Sequence, residues 1–431
     1  MAYIPPHKRH SQDSNRPTPT PIPELLAPQY KRDLNLISSQ HDVDSAVDIT
    51  ISNPCVYKWF IVGLDDNDQF PSFVHLERIS EPIEQTLGEK SLVLVNDHAD
   101  KGNDEVGGNI SRRPWEFVAK NAWPDILTCF NNLRNRMECK ELEKVKPVLV
   151  ARFGKIRFRG SYYVNIEKVK KYPVTETTLE PLRRRFHTNV PTSYMENIIS
   201  GVVPKIGFDF EADKDVYQIM VTDSMRPFSI VNCKCRVKED KTLELYKASF
   251  LLHAYICVNR MMEVEKNHAR RMAIDTSCVD KNLDLRLTLW TKSIGNDFTD
   301  EEIQSLRNLI SSAILDPGVK GGLRWPLGKS NSGDQYCVSG VWHLKVKLYE
   351  TSSLRLKVRH ADRFRFESST GESSIEIILK WKQLASDILE QKVDTDTMYN
   401  MFKDTLGLIW DHFLCCEHLL TQATHAKLYL L

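Results

Sequence analysis

The stretch VLVARFGKIRFR, residues 148–159, begins with apolar residues and continues as an alternation of basic and apolar side chains, which predicts a β-strand. A period of two divides its second half between two faces. One face carries Phe153, Lys155, Arg157 and Arg159, and the other carries Arg152, Gly154, Ile156 and Phe158. We therefore expect one face to bury its apolar residues and the other to present cations beside an aromatic ring. The alternative is a solvated sheet face that nearby carboxylates neutralise.

This strand lies in a basic segment, residues 144–187, which holds twelve Lys or Arg and three Glu residues, a net charge of +9 in a chain whose net charge is +1. Aromatic residues are interleaved with the charge. Such a mixture suits a phosphate backbone with unstacked bases, or an acidic protein face. The predicted nucleic-acid contacts are Phe153, Lys155, Arg157, Arg159, Tyr162, Arg183, Arg184 and Arg185.

Outward from this segment, the pattern predicts an α+β fold with largely antiparallel or mixed sheets and packed helices. Residues 203–289 alternate as antiparallel strands do, and 251–264 fit either a strand or a buried helix. Short helices are expected around 179–186 and 193–199, so that Arg183–Arg185 would extend the basic patch from a helix. Longer helices are expected at 124–137, 300–315, 375–389 and 396–418, and LRLKVRH (354–360) predicts an amphipathic edge strand with a cationic face.

The composition predicts a disordered, Pro-rich tail at 1–45, followed by two α+β domains at 46–200 and 201–431. No run of eighteen apolar residues occurs, so no membrane-spanning helix is expected. Ten scattered cysteines are typical of a reducing compartment, which favours the cytoplasm or the nucleus.

The candidate phosphate-binding and zinc-binding motifs lack the residue spacing that each site requires. Gly328-Lys329-Ser330 ends like a phosphate-binding loop, but the required glycine position holds Leu323. Cys233 and Cys235 lack a second pair for zinc. We therefore predict no catalytic residue, no metal and no cofactor; the sequence favours a protein that is not an enzyme but leaves the question open.

Several segments resemble known families. MAYIPPHKRHS (1–11), ARFGKIRF (151–158), VVPKIGFDFE (202–211) and ILDPGVKGGLRWPLGK (314–329) resemble a plant-specific family of uncharacterised proteins, a domain of unknown function. Tyr3–His7 also looks like a tail segment of some DEAD-box RNA helicases, although Lys8 stands where those have Leu. This similarity implies a protein partner for Tyr3–Arg9. Residues 152–158 and 59–64 partly resemble the two ribonucleoprotein motifs of RNA-recognition domains.

Three functions remain open. The first is a non-enzymatic binding protein with RNA as its ligand, and the second is a protein-interaction scaffold that uses the N-terminal tail and the amphipathic C-terminal helices. The third is an enzyme of unrecognised type, which requires a pocket where carboxylates, His or Cys converge.

Overall fold

A computed structural model describes the parts of the chain from which the fold is built. The described residues are 56–64, 69–78, 91–96, 113–138, 145–160, 169, 173–225, 229–255, 261–265, 268–293, 298–326, 330–332, 335–390 and 393–414. The predicted tail at 1–45, including Tyr3–Arg9, lies outside them, as does Tyr162.

The strands are β1 (Val56–Val62), β2 (Val74–Arg78), β3 (Ser91–Asn96), β4 (Val145–Arg159), β5 (Arg183–His187), β6 (Asp209–Asp223), β7 (Ser229–Val237), β8 (Leu243–Tyr255), β9 (Met261–Glu265), β10 (His268–Cys278), β11 (Asp284–Ser293), β12 (Ile314–Leu315), β13 (Leu323–Arg324), β14 (Asn331–Ser332), β15 (Tyr336–Glu350), β16 (Leu354–Arg365) and β17 (Thr370–Trp381). The α-helices are α1 (Pro114–Glu138), α2 (Glu176–Leu179), α3 (Thr192–Asn197), α4 (Val203–Ile206), α5 (Asp300–Ser311), α6 (Leu384–Glu390) and α7 (Thr395–His412), with a π-helical turn at Ile198–Val202 and a 3-10 turn at Lys320–Gly322.

One large sheet organises these elements. Its main path runs β1-β10-β11-β4-β17-β16-β15-β6-β7-β8-β9, with β2, β3, β5 and β14 joined beside it. The pairs are antiparallel except β1 with β10, which are parallel. The α+β prediction with a largely antiparallel sheet is therefore confirmed. Strands from both sides of residue 200 share this sheet, and the two-domain division stays a prediction.

Helices cover one side of the sheet, which we call the outer face. On β16 the even-numbered Leu356 and Val358 enter one buried core, and Phe364 enters a second. In the first core the sheet packs against α1, α6 and α7, where the rings of Trp123 and Phe402 stack with their centroids 5.7 Å apart. Because the helices cover the apolar residues of the outer face, the odd-numbered residues of β16 lie on the opposite, inner face.

The second core forms around α5. Thr299 caps this helix in a reciprocal box with Glu302, whose N–H donates to the threonine hydroxyl over 3.2 Å while its carboxylate accepts from the Thr299 N–H over 2.8 Å. Beneath the helix, Trp325 is almost fully buried and donates from Nε1 to the Leu309 carbonyl over 3.1 Å. The capping box ends α5 at its N-terminus, and Trp325 joins the helix to the second core.

Four predicted elements differ in the structure. The segment 375–389 was expected to be one helix, but its first part belongs to strand β17, because its alternating residues pair with β16, and only Leu384–Glu390 form a helix, α6. Arg183–Phe186 form strand β5 rather than a helix, because this segment alternates and pairs with β4 over Lys155–Arg159. The helix predicted to begin at Pro124 begins earlier, at Pro114, and contains Pro124 in its interior. Strand β16 is not an edge strand, since it lies between β15 and β17.

Candidate functional site

Strand β4 passes from the large sheet to the smaller group formed with β3 and β5, and Gly154 lies at the crossing. The first part of β4 pairs with β11 and β17, and the part after Gly154 pairs with β5. A Cβ atom on Gly154 would lie 1.9 Å from the carbonyl oxygen of His187. Only glycine therefore lets β5 approach β4 closely enough to bring the arginines of both strands together.

Basic side chains from four strands gather beside this crossing on the inner face of the sheet. We call them the inner cationic cluster. They are Arg152, Arg157 and Arg159 of β4, Arg185 of β5, Lys234 of β7, and Lys357, Arg359 and Arg363 of β16. Each acts electrostatically on at least one other member or on a group between them.

The inner face is concave around Lys357. Lys234 is three strands away in the sheet order, and its level on β15, at Trp342, is six residues from Leu348, which pairs with Lys357. In a flat sheet this offset is on the order of 25 Å, from a strand spacing of ~4.8 Å and a rise of ~3.4 Å per residue. The sheet is not flat, however, because its path ends at β9 while β10, the second strand from the other end, begins at His268, shortly after β9 ends at Glu265. The sheet therefore curls, and Lys234 contributes to lowering the pKa of Lys357.

Two carboxylates of β17 lie among these cations. Glu376, 2% exposed, accepts hydrogen bonds from the terminal nitrogens of both Arg359 and Arg363. Burial alone would raise the pKa of Glu376, but the two guanidinium groups lower it to about 2. Glu372 lies at the margin, 4.0 Å from the Arg363 guanidinium and partly exposed.

Three basic side chains of this site have lowered pKa values, and burial is the largest cause of each. Burial first, and then the charges of Arg359 and Lys234, lower the pKa of Lys357 to about 7. Burial, Arg157 and Arg185 lower the pKa of His187 to about 4. Partial burial, together with Arg159 and Arg157, also lowers the pKa of Arg185. The second cause in each case is a neighbouring cation, and a bound anion would offset that part of the shift.

Two tryptophans lie next to cluster arginines. The Arg363 guanidinium stands 5.2 Å from the ring centre of Trp342, and Arg152 stands 5.3 Å from that of Trp290. Both indoles are half-buried. The inner face therefore offers aromatic surface beside its cations.

The eight residues predicted from sequence are distributed over several environments. Arg157, Arg159 and Arg185 join the inner cationic cluster. Lys155 instead lies 3.9 Å from the buried Asp284 and donates to the Leu94 carbonyl. Arg184 stacks over Trp59 at 4.3 Å, Arg183 is exposed, and Tyr162 lies outside the described residues.

Phe153 requires a correction. It is fully buried and stacks on Phe413, with the ring centroids 5.1 Å apart, so its ring is not open to a base. The segments that resemble ribonucleoprotein motifs are not adjacent strands, since β10 and β11 lie between β1 and β4. Their side chains nevertheless meet in one core, where the rings of Trp59 and Phe158 contact edge to face with their centroids 6.0 Å apart. Phe158 is fully buried, so its ring is not open to a base, and the RNA contacts of the remaining residues stay predictions.

The cluster residues that the sequence left out of the predicted site are Arg152, Lys234, Lys357, Arg359 and Arg363. The alternation in LRLKVRH did indicate a cationic face on β16. The sequence pattern could not show that β16 lies near β4. The two strands are connected through β17, which pairs with both and lies more than 200 residues after β4 in the chain.

A family model matches residues 43–252 and 258–413 and thus spans both predicted domains. Its description is "Domain of unknown function (DUF7903)". The chain belongs to this family. The prediction that this chain belongs to a family of uncharacterised proteins is thereby confirmed. No curated protein matches it.

A comparison with solved structures finds matches to the DUF7903 chain at low similarity. The S. pombe Pct1 RNA triphosphatase is 12% identical, with a TM-score of 0.36, over 67% of this chain and 91% of that one. The same enzyme in complex with the Spt5 CTD is also 12% identical, with a TM-score of 0.38, over 67% of this chain and 92% of that one. A putative adenylate cyclase from Bacillus halodurans is 12% identical, with a TM-score of 0.21, over 51% and 87%. Likenesses of this size assign no activity.

The described part of the DUF7903 chain contains neither a membrane-spanning helix nor a metal-binding group of side chains. Within it, no helix is long and apolar enough to cross a membrane. Among the same residues, no group of three or more His, Cys, Asp or Glu side chains is placed to hold a metal ion.

Proposed function

We propose that this DUF7903 protein is a non-enzymatic binding protein whose inner cationic cluster contacts the phosphates of single-stranded RNA. The observation that supports this most is the convergence of eight basic side chains from four strands on a concave face around two carboxylates. This proposal retains RNA as the ligand and moves the proposed contacts from one face of β4 to the inner cationic cluster.

The energetics favour an anionic ligand. Like charges on neighbouring strands repel one another, and partial burial strengthens that repulsion. A phosphate backbone placed among Lys357, Arg359 and Arg185 would relieve it, and guanidinium groups can donate two hydrogen bonds to one phosphate. Release of the counterions condensed on the RNA would add to the affinity.

The aromatic neighbours favour a single-stranded nucleic acid within the class of phosphorylated ligands. Trp342 and Trp290 lie beside Arg363 and Arg152, respectively. Unstacked bases bind to such rings while the backbone follows the cations. Double-stranded RNA keeps its bases stacked inside the helix and would not use these rings.

The test is a salt titration of binding by fluorescence anisotropy, using a labelled oligoadenylate of about twelve nucleotides. The double variant Arg185→Gln, Lys357→Gln removes two cluster charges without leaving the buried Glu376 unpaired. The matched control, Lys345→Gln, Lys347→Gln, removes two exposed lysines from the outer face of β15 in the same sheet.

We expect the cluster variant to bind at least tenfold more weakly, with the slope of log affinity against log salt reduced by about 1.4, since each lost contact contributes ~0.7 on a single strand. The control should keep the wild-type slope. Equal losses in both variants, or no RNA binding by the wild-type protein at low salt, would overturn the proposal.

A further inference from the structure

We infer that ligand binding at the inner cationic cluster is coupled to the uptake of a proton by Lys357, so that the site releases its phosphate ligand as the surroundings become more alkaline. This inference rests on the proposed function and adds a form of regulation to it.

The position of Lys357 supports this role. It lies at the middle of β16 on the concave inner face, half-buried, between Leu348 of β15 and Ile378 of β17, which pair with it. Neither neighbour carries charge. Arg359 and Arg363, on the same strand, share Glu376 between them. The carboxylate of the site is thus bound to the two arginines.

The charged groups that act on Lys357 come from every side of it. Arg359 of its own strand, Lys234 of β7 and Arg152 of β4 disfavour its protonation, and Glu376 of β17 favours it. Burial first, and then these cations, lower the pKa of Lys357 to about 7. The ammonium group is therefore only about half formed at neutral pH.

A phosphate placed beside Lys357 would reverse this balance. An adjacent anion favours the charged form of a lysine, so the pKa of Lys357 is higher in the complex than in the free protein. Binding therefore takes up a proton wherever the free protein has lost one. The affinity is highest below about pH 7 and falls as the pH rises above it, until the pKa of the complex is reached.

The other titratable groups of the site act in different pH ranges. The pKa of His187 is lowered to about 4 and that of Glu376 to about 2. Both groups keep their charge state between about pH 6 and pH 8. A change in affinity within this interval consequently reports on Lys357.

The experiment measures the affinity for an oligoadenylate with hydroxyl groups at both ends, between about pH 6 and pH 8 at constant ionic strength. This probe has no group that titrates in that range, so the ligand contributes nothing to the pH dependence. We expect the affinity of the wild-type protein to fall about tenfold, which is the change in the protonated fraction of a lysine whose pKa is about 7.

Lys357→Arg keeps a positive charge that does not titrate in this range and should bind with wild-type affinity at about pH 6 and with little change up to about pH 8. The matched variant Lys345→Arg, on the exposed outer face of β15, should keep the tenfold fall. Calorimetry in buffers of different ionisation enthalpy should show proton uptake above neutral pH in wild type but not in Lys357→Arg.

A pH dependence that persists unchanged in Lys357→Arg would overturn the inference while leaving the proposed function standing. A wild-type affinity that is flat between about pH 6 and pH 8 would do the same. If the oligoadenylate fails to bind at any pH, the proposed function fails, and the inference fails with it.

Discussion

Substitution of Glu376 by glutamine should destabilise the fold strongly at neutral pH. The Glu376 carboxylate is 2% exposed and holds the Arg359 and Arg363 guanidinium groups together. Its pKa is about 2 in the folded protein, against an ordinary value of 4.5. At ~1.4 kcal/mol per pKa unit, this difference corresponds to about 3 kcal/mol of folding free energy, within the range measured for buried pairs that lose one partner.

The loss of stability in Glu376→Gln should depend on pH, because the pKa of Glu376 is lower in the folded protein than in the unfolded chain. A carboxyl whose folded-state pKa is lowered stabilises the fold above its unfolded pKa of 4.5 and loses that contribution as the pH falls to about 2. Urea denaturation followed by circular dichroism should therefore show Glu376→Gln weaker than wild type by about 3 kcal/mol at neutral pH. The difference should shrink steadily below about pH 4.5, where wild type also becomes protonated.

Glu372→Gln is the matched control. Glu372 lies on the same strand four residues away, but its side chain is 39% exposed and stands 4.0 Å from Arg363. We expect it to cost less than about 1 kcal/mol, as exposed ion pairs do. Equal losses in the two variants, or a Glu376→Gln deficit that does not change on acidification, would refute the role given to Glu376.

Three further changes test other parts of the structure. Gly154→Ala should destabilise the fold by at least about 2 kcal/mol in urea denaturation, because its methyl group would lie 1.9 Å from the His187 carbonyl oxygen; a stable Gly154→Ala protein would contradict the close crossing of β4 and β5. Asp275→Asn should cost about 3–5 kcal/mol in the same assay, since it leaves the Arg286 charge without the buried carboxylate that accepts two of its hydrogen bonds at 2.5 and 2.7 Å. Lys357→Met should instead raise the melting temperature, with a gain on the order of 2 kcal/mol, because it removes a desolvated cation from among other cations; a lower melting temperature would show that Lys357 is stabilised by contacts beyond those considered.

Local signals in the sequence predicted local structure well. The Thr299 capping box needs only residues within one helical turn, so it was readable directly. The alternation on β4 likewise predicted a strand. Arg183–Phe186 was wrongly predicted as a helix, because a short segment carries too little periodic signal and the pairing with β4 decides its conformation.

The site itself could be predicted only in part. The charge of the basic segment pointed to Arg157, Arg159 and Arg185, which do join the cluster. The contributions of Lys357 and Arg363 depend on the sheet order, which the sequence pattern does not determine. Phe153 was expected on the cationic face, but its ring is buried in the first core, where it stacks on Phe413.

The protein-interaction alternative now has less surface to use. On α7, Met398, Phe402, Leu406 and Ile409 are buried in the first core, so the apolar side of this helix is already occupied. The N-terminal tail at 1–45 lies outside the described residues, and a partner for Tyr3–Arg9 stays a prediction.

The most direct test of the central claim is to map where RNA touches the protein. Oligoadenylate cross-linked to the full chain by ultraviolet light, followed by peptide mass spectrometry, would locate the contacts. Our account predicts cross-links in β4, β5, β15 and β16, at or next to Arg185, Lys357 and Trp342. Cross-links confined to the 1–45 tail or to the outer-face lysines of β15, Lys345 and Lys347, would contradict it.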